Sequence, residues 1–248
     1  MKPVHDFKKQ LDNFDLEATV IASYVYAEMA ILHAASKSKK LLAQLNVTST
    51  FWKTCFAAFQ TGAYIALGRV FDKGSPYNLE AILTSMEVDI QTFSRESLAQ
   101  RKSENGFNDP ARLKDYVSKA HVLTVEDIRR IRRSVARRRA IYDRAIMHVR
   151  HRYLAHRQTH DHVAVDSLYA RGKVKEMWQL SIFLVRLHQE LSSLYVNGKK
   201  PNLRLRFRYS PKVMYDKKAN IVGPHERMVN DVRKLMELIE STARDRSN

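Results

Sequence analysis

Thr124-Val125-Glu126-Asp127-Ile128-Arg129-Arg130-Ile131 opens the longest uninterrupted helical pattern in the chain. Thr124 is suited to cap a helix, because its hydroxyl can accept a free backbone N–H, and Glu126 and Asp127 place negative charge where the helix dipole favours it. Beyond them Ile128, Ile131, Val135, Tyr142, Ala145, Val149 and Tyr153 return every three or four residues, and no glycine or proline interrupts until Gly172. That spacing marks one apolar face of a helix. A second amphipathic stretch through Val174, Trp178, Ile182, Val185, Leu187 and Leu194 follows. The two together predict a mainly α fold with residues 126–157 and 173–196 as its central helices.

Working outward, Phe7, Leu11, Phe14, Ala18, Ile21, Val25, Met29 and Leu32 give residues 6–35 the repeat of a long structural helix. Ser36-Lys37-Ser38-Lys39-Lys40 breaks it. A further helix begins near Thr48–Thr50 and carries Trp52, Cys55, Phe56, Phe59, Ala63, Ala66, Leu67 and Val70 as a buried stripe. Lys73-Gly74-Ser75-Pro76 is a turn, Asn78 or a neighbour starts the next helix, and Asn108-Asp109-Pro110 is a second break with a helix behind it. Asn197-Gly198 ends the helix of 173–196. Leu203-Arg204-Leu205-Arg206-Phe207-Arg208-Tyr209 alternates as a half-buried strand does, and Val213-Met214-Tyr215 is placed to pair back as a small hairpin. Gly223-Pro224 launches a final helix. The expected organisation is a helical domain over 1–198 and a C-terminal appendage over 199–248, hairpin plus helix, packed on it.

Seven glycines and six prolines in 248 residues, with 44% apolar side chains, suit a helical protein with a full core. The formal charge of +17 predicts attraction to polyanions, since each phosphate neutralised releases condensed counterions. Residues 126–157 concentrate it, with eleven arginines against three carboxylates, a net +8. Nucleic acid is therefore the expected partner, with Arg137, Arg138, Arg139, Arg144, Arg152 and Arg157 as candidate contacts. No basic helix with a broad exposed apolar face is evident, so a membrane partner is not expected. Cys55 is the sole cysteine, which excludes an intramolecular disulfide. The apolar run Ala18–Ala27 is short for a membrane span, and the expected location is the cytoplasm.

The far end of the arginine-rich segment reads Val149-Arg150-His151-Arg152-Tyr153-Leu154-Ala155-His156-Arg157. A guanidinium is permanently charged and matches phosphate oxygens, whereas an imidazole exchanges a proton near neutral pH. Arg150 and His156 could attack a phosphodiester together. On an ideal helix, however, six residues separate them by about 9 Å along the axis and roughly 120° around it. Either the helix distorts near Tyr153, or the arginine reaches across, or a second protomer completes the site. His156 could also be a histidine satisfied by its packing. His156 and His160 are spaced to chelate a metal, but the segment has little acidic company beyond Asp161, so neither a metal nor another cofactor is expected.

Arginine, a polar residue, three more positions and Ala-His resemble the signature of HEPN domains, many of which are metal-independent ribonucleases. Phe51-Trp52 and the aromatic, alanine-rich run to Leu67-Gly68-Arg69-Val70-Phe71-Asp72-Lys73 resemble the upstream helix of the AbiU-like, abortive-infection branch, whose Arg-x-x-Asp pair precedes the later motif. The resemblance implies a HEPN-like helical bundle, a homodimer with a composite active cleft, and RNA as substrate. It implies His156 as general acid or base and Arg150 as the cation on the phosphorane. His151 stands where the family more often has Asn or Asp. Arg69 and Asp72, read locally as a helix-end ion pair, become supporting residues behind the motif. The function implied is a toxin or antiphage effector that cleaves single-stranded RNA. The alternative is a non-catalytic HEPN-like module that binds RNA or DNA. An antitoxin is a conceivable further partner; Gln158 stands where a related, antitoxin-regulated branch carries a modifiable tyrosine.

Overall fold

The computed structural model describes residues 6–75, 78–149, 174–203, 210–217 and 223–245. The described residues form α1 (Phe7–Lys37), α2 (Lys39–Val47), α3 (Ser49–Phe71), α4 (Leu79–Val88), α5 (Arg95–Glu104), α6 (Pro110–Ser118), α7 (Val125–Ala145), α8 (Met147–Val149), α9 (Val174–Asn197), α10 (Pro211–Lys217) and α11 (Pro224–Asp245), with a 3-10 turn Ile90–Phe93 before α5. The mainly α architecture follows the apolar repeats.

α1 is the hub. Asp6 caps it by accepting from Lys9 N at 3.2 Å. One stripe, Phe7, Leu11, Phe14, Ile21 and Val25, enters a core shared with α3, α4, α7 and α9. A second stripe, Ala22, Tyr26, Ala30 and Ile31, enters another core with α2, α10 and α11. Two buried stripes let one helix touch α3, α9 and α11 at once. The expected central pair thus becomes α1 with α9, while α7, confined by its arginines to a single apolar stripe, packs on one side. An 18-residue window of α1 is apolar enough for a membrane span by composition, and 61% of it is buried inside the protein. Its apolarity is that of a core helix: full burial of each large aliphatic side chain contributes about 1.5–3 kcal/mol.

Local signals set most of the helix ends. Asn78 Oδ1 accepts from Ala81 N at 2.9 Å, and Asp109 Oδ1 accepts from Ala111 N and Arg112 N behind Pro110. Thr124 and Asp127 form a reciprocal capping box, with Thr124 Oγ1 accepting from Asp127 N at 3.1 Å and Asp127 Oδ2 accepting from Thr124 N at 3.2 Å. α9 ends at Gly198, whose φ of +60° suits the left-handed cap glycine adopts without strain. Gly198 N donates to Leu194 O at 2.9 Å and Lys199 N to Ser193 O at 3.2 Å.

Two expectations need correction. The helix over 126–157 is interrupted at Ile146, whose backbone leaves the helical region at φ −121°. Neither glycine nor proline causes this, but Ile146 and Val149 are both fully buried, so core packing outweighs helical continuity there. The hairpin is not formed as expected: Val213-Met214-Tyr215 lies within α10, and no strand occurs among the described residues. Pro211, read as a strand terminator, occupies the first helical position, where its fixed φ suits a helix start. Met214 is buried while Val213 is exposed, opposite to a strand that buries Val213 and Tyr215. Asp216 then meets His33 Nε2 at 3.1 Å and Lys37 Nζ at 2.6 Å, fastening α10 to α1. Residues 204–209, the other half of the expected hairpin, lie outside the described residues.

Candidate functional site

The motif residues Arg150, His151, Arg152, His156 and Arg157 lie outside the described residues. The scaffold leading into and out of their segment is described. α7 carries the chain toward Val149, and Arg144 near its end pairs with Glu176 at the start of α9 at 2.9 Å. That ion pair joins the helix entering the motif segment to the helix leaving it.

Deeper, Tyr142 is fully buried and its hydroxyl donates to Asp72 Oδ1 at 2.8 Å. Its ring stacks on Phe71, centroids 5.2 Å apart and planes 21° from parallel. Burial, helped by the nearby Asp143 carboxylate, pushes the phenol well above its ordinary range, so Tyr142 stays a protonated donor. Asp72 is also the C-cap of α3, its own N–H donating to Gly68 O at 2.8 Å. The end of the aromatic helix is thereby fixed against α7 at a point eight residues ahead of Arg150 in sequence. Arg69 does not make the expected local pair with Asp72. One turn earlier on α3, it faces α1 and pairs with Glu17 at 3.2 Å. The two residues brace different neighbours: Asp72 holds α7, and Arg69 holds α1.

The α7 arginines divide by helical phase. Arg138 is half-buried, its guanidinium 5.7 Å from the centroid of Phe183, and burial lowers its pKa. Arg139 pairs with Asp143 at 3.6 Å. Arg132 is clamped by Glu80 and Glu87, the latter at 2.9 Å. On the outer face Arg130, Arg133, Arg137 and Arg144 recur at spacings of three, four and seven and are all exposed. Of these, Arg133 meets Glu126 at 2.8 Å, whereas Arg137 reaches Ser134 Oγ at 3.3 Å, a neutral partner that leaves its charge uncompensated. Among the described candidates for nucleic-acid contact, Arg137 is the most available and Arg138 the least. Sequence reading placed Tyr142 correctly in the apolar stripe but missed its hydroxyl contact, because the acceptor lies seventy residues upstream.

A family profile for HEPN_AbiU2, described as AbiU2, matches residues 5–210. No curated protein and no solved structure matches the chain. The match covers most of the sequence, spanning both the aromatic helix that ends at Asp72 and the segment holding Arg150 and His156. The chain belongs to the AbiU2 family of HEPN-domain proteins, a family of the abortive-infection class.

Proposed function

We propose that this protein is a metal-independent endoribonuclease of the HEPN type, a cytoplasmic toxin or antiphage effector that cleaves single-stranded RNA at a composite site between two protomers. The observation that carries the reading is the Arg150-to-His156 motif within an AbiU2-family chain. The buttress of Tyr142 on Asp72 supports it by fixing the support from which the motif departs.

In this mechanism His156 moves the proton of the ribose 2′-hydroxyl or of the leaving oxygen. Arg150 balances the charge growing on the phosphorane. A proton shuttle and a cation suffice if the nucleophile is the RNA's own 2′-hydroxyl, which makes the products a 2′,3′-cyclic phosphate and a 5′-hydroxyl. His151 orients Arg150, and Arg152 and Arg157 hold flanking phosphates. The six-residue offset of Arg150 and His156 is resolved by pairing two copies about a two-fold axis.

A second reading, a binding module without turnover, rests on the same exposed arginine face of α7, which accounts for binding without requiring cleavage. Incubation of purified protein with single-stranded RNA in excess EDTA separates them: cleavage supports the nuclease, and binding without cleavage supports the module.

A further inference from the structure

Between α6, the start of α7 and the segment after α9, two adjoining clefts share Lys200 as a common wall. One, of about 660 Å³, is bounded by Arg130, Arg137 and Lys200. The other, of about 960 Å³, is bounded by Phe107, Tyr116, Lys199 and Lys200. Together their walls carry six cationic side chains against two carboxylates.

The two carboxylates are already committed. Asp127 accepts from Thr124 N at 3.2 Å, from Thr124 Oγ1 at 2.8 Å and lies 2.8 Å from His121 Nε2. Burial alone would raise its pKa, but those hydrogen bonds outweigh it and hold the carboxyl below the ordinary range. Asp115 pairs with Lys119 at 2.7 Å. The uncompensated charge falls on Arg137, Lys199 and Lys200. The floor beneath them is fixed, because His121 N donates to Gly198 O at 2.8 Å and Tyr116 Oη to Asn197 O at 3.0 Å. Lys199 and Lys200 therefore leave a pinned backbone and point their charge from a defined place. Phe107 adds a different chemistry: its ring lies 6.4 Å from that of Tyr116 and remains 36% exposed.

A groove that combines exposed cations with an accessible aromatic ring matches what an unpaired strand presents, phosphates along one edge and free base faces along the other. A duplex keeps its base faces stacked inside, out of reach of Phe107. We propose that this groove grips single-stranded RNA, with Arg137, Lys199 and Lys200 on its phosphates and Phe107 stacked on a base. The proposal deepens the ribonuclease reading and rests on it for the choice of RNA. Eight residues of α7 separate Arg137 from its last residue, Ala145, about 12 Å at the helical rise, and Val149 follows four residues later in sequence. The groove is thus a hold on the strand built from residues other than those of the motif, which follows Val149 in sequence.

The test uses a labelled oligouridylate carrying 2′-O-methyl groups, which lacks the 2′-hydroxyl nucleophile and so reports binding whether or not the protein cleaves. Fluorescence anisotropy of the full-length protein should show that Lys199→Ala/Lys200→Ala weakens binding about tenfold and lowers the slope of log K against log salt by about 1.4. Phe107→Ala should weaken it about five- to a hundredfold. Lys40→Ala/Lys53→Ala, which removes equal charge from α2 and α3, should have the smaller effect. Circular dichroism checks that each variant keeps its helices. Groove variants that bind like the wild type, a loss no greater than in the Lys40/Lys53 control, or preference for duplex over single strand would each overturn the groove. Failure of the ribonuclease reading looks different: unmodified RNA stays intact while the modified strand still binds through Lys199 and Lys200.

Discussion

Tyr142 and Asp72, seventy residues apart in sequence, meet through a 2.8 Å hydrogen bond that ties the end of α3 to α7. The phenol is fully buried and Asp72 half-buried, so the hydrogen bond is charge-assisted and costly to remove from the phenol's side. Tyr142→Phe removes this donor while keeping the ring on Phe71. It should cost about 1–3 kcal/mol of stability, read as a lower urea midpoint at unchanged slope. An unchanged midpoint would show that Asp72 does not depend on the phenol.

Gly198 gives an independent test of the α9 end. A Cβ there would stand 2.7 Å from Ala120 Cβ and 2.8 Å from Leu98 Cδ2, on a backbone with φ of +60°. Both the conformation and the space oppose a side chain. Gly198→Ala should therefore destabilise by at least about 1–3 kcal/mol, seen as a lower melting temperature. Gly106→Ala, at φ +87° but with no heavy atom within 4 Å, should cost less.

Glu28 supplies a pH dependence of definite sign. It is buried in α1, burial raises its pKa, and the hydrogen bond from Gln60 at 2.7 Å only partly offsets this. An acid with a raised folded pKa is most favourable to folding below its unfolded value near 4.5, and its contribution is lost as pH rises through the folded value. Glu28→Gln retains an acceptor for Gln60 and removes the charge. It should raise stability at pH 7, with the advantage fading toward pH 4 in urea titrations. An advantage that grew on acidification would contradict the assignment.

Much of the fold was legible because its signals are local. Thr124 with Asp127, Asn78, Asp109-Pro110 and Asn197-Gly198 each mark a helix end through side chains or φ preferences acting within a few residues. Val213-Met214-Tyr215 misled because three apolar residues fit either period, and Pro211 serves equally as a strand end or a helix start. The hub role of α1 depends on two stripes meeting different partners, which one repeat does not reveal. For the site, Arg150 and His156 were legible as a spaced motif, whereas the Tyr142–Asp72 contact and the groove at Lys200 arise only when distant segments are brought together.

The proposed composite site requires a dimer. Sedimentation at micromolar concentration should give twice the mass of the 28.8 kDa chain. A monomer with full activity would exclude a composite site.

The most direct test of the central claim is cleavage of single-stranded RNA in excess EDTA by the wild type and by His156→Ala, with the product ends analysed. Loss of an acid–base group costs on the order of 10² to 10⁴ in rate, and loss of a preorganised cation about 10² to 10³. Wild-type protein should release 2′,3′-cyclic phosphate and 5′-hydroxyl ends and leave DNA uncut. His156→Ala and Arg150→Ala, still helical and dimeric, should show no detectable cleavage. Wild-type cleavage by a folded His156→Ala dimer would contradict the account.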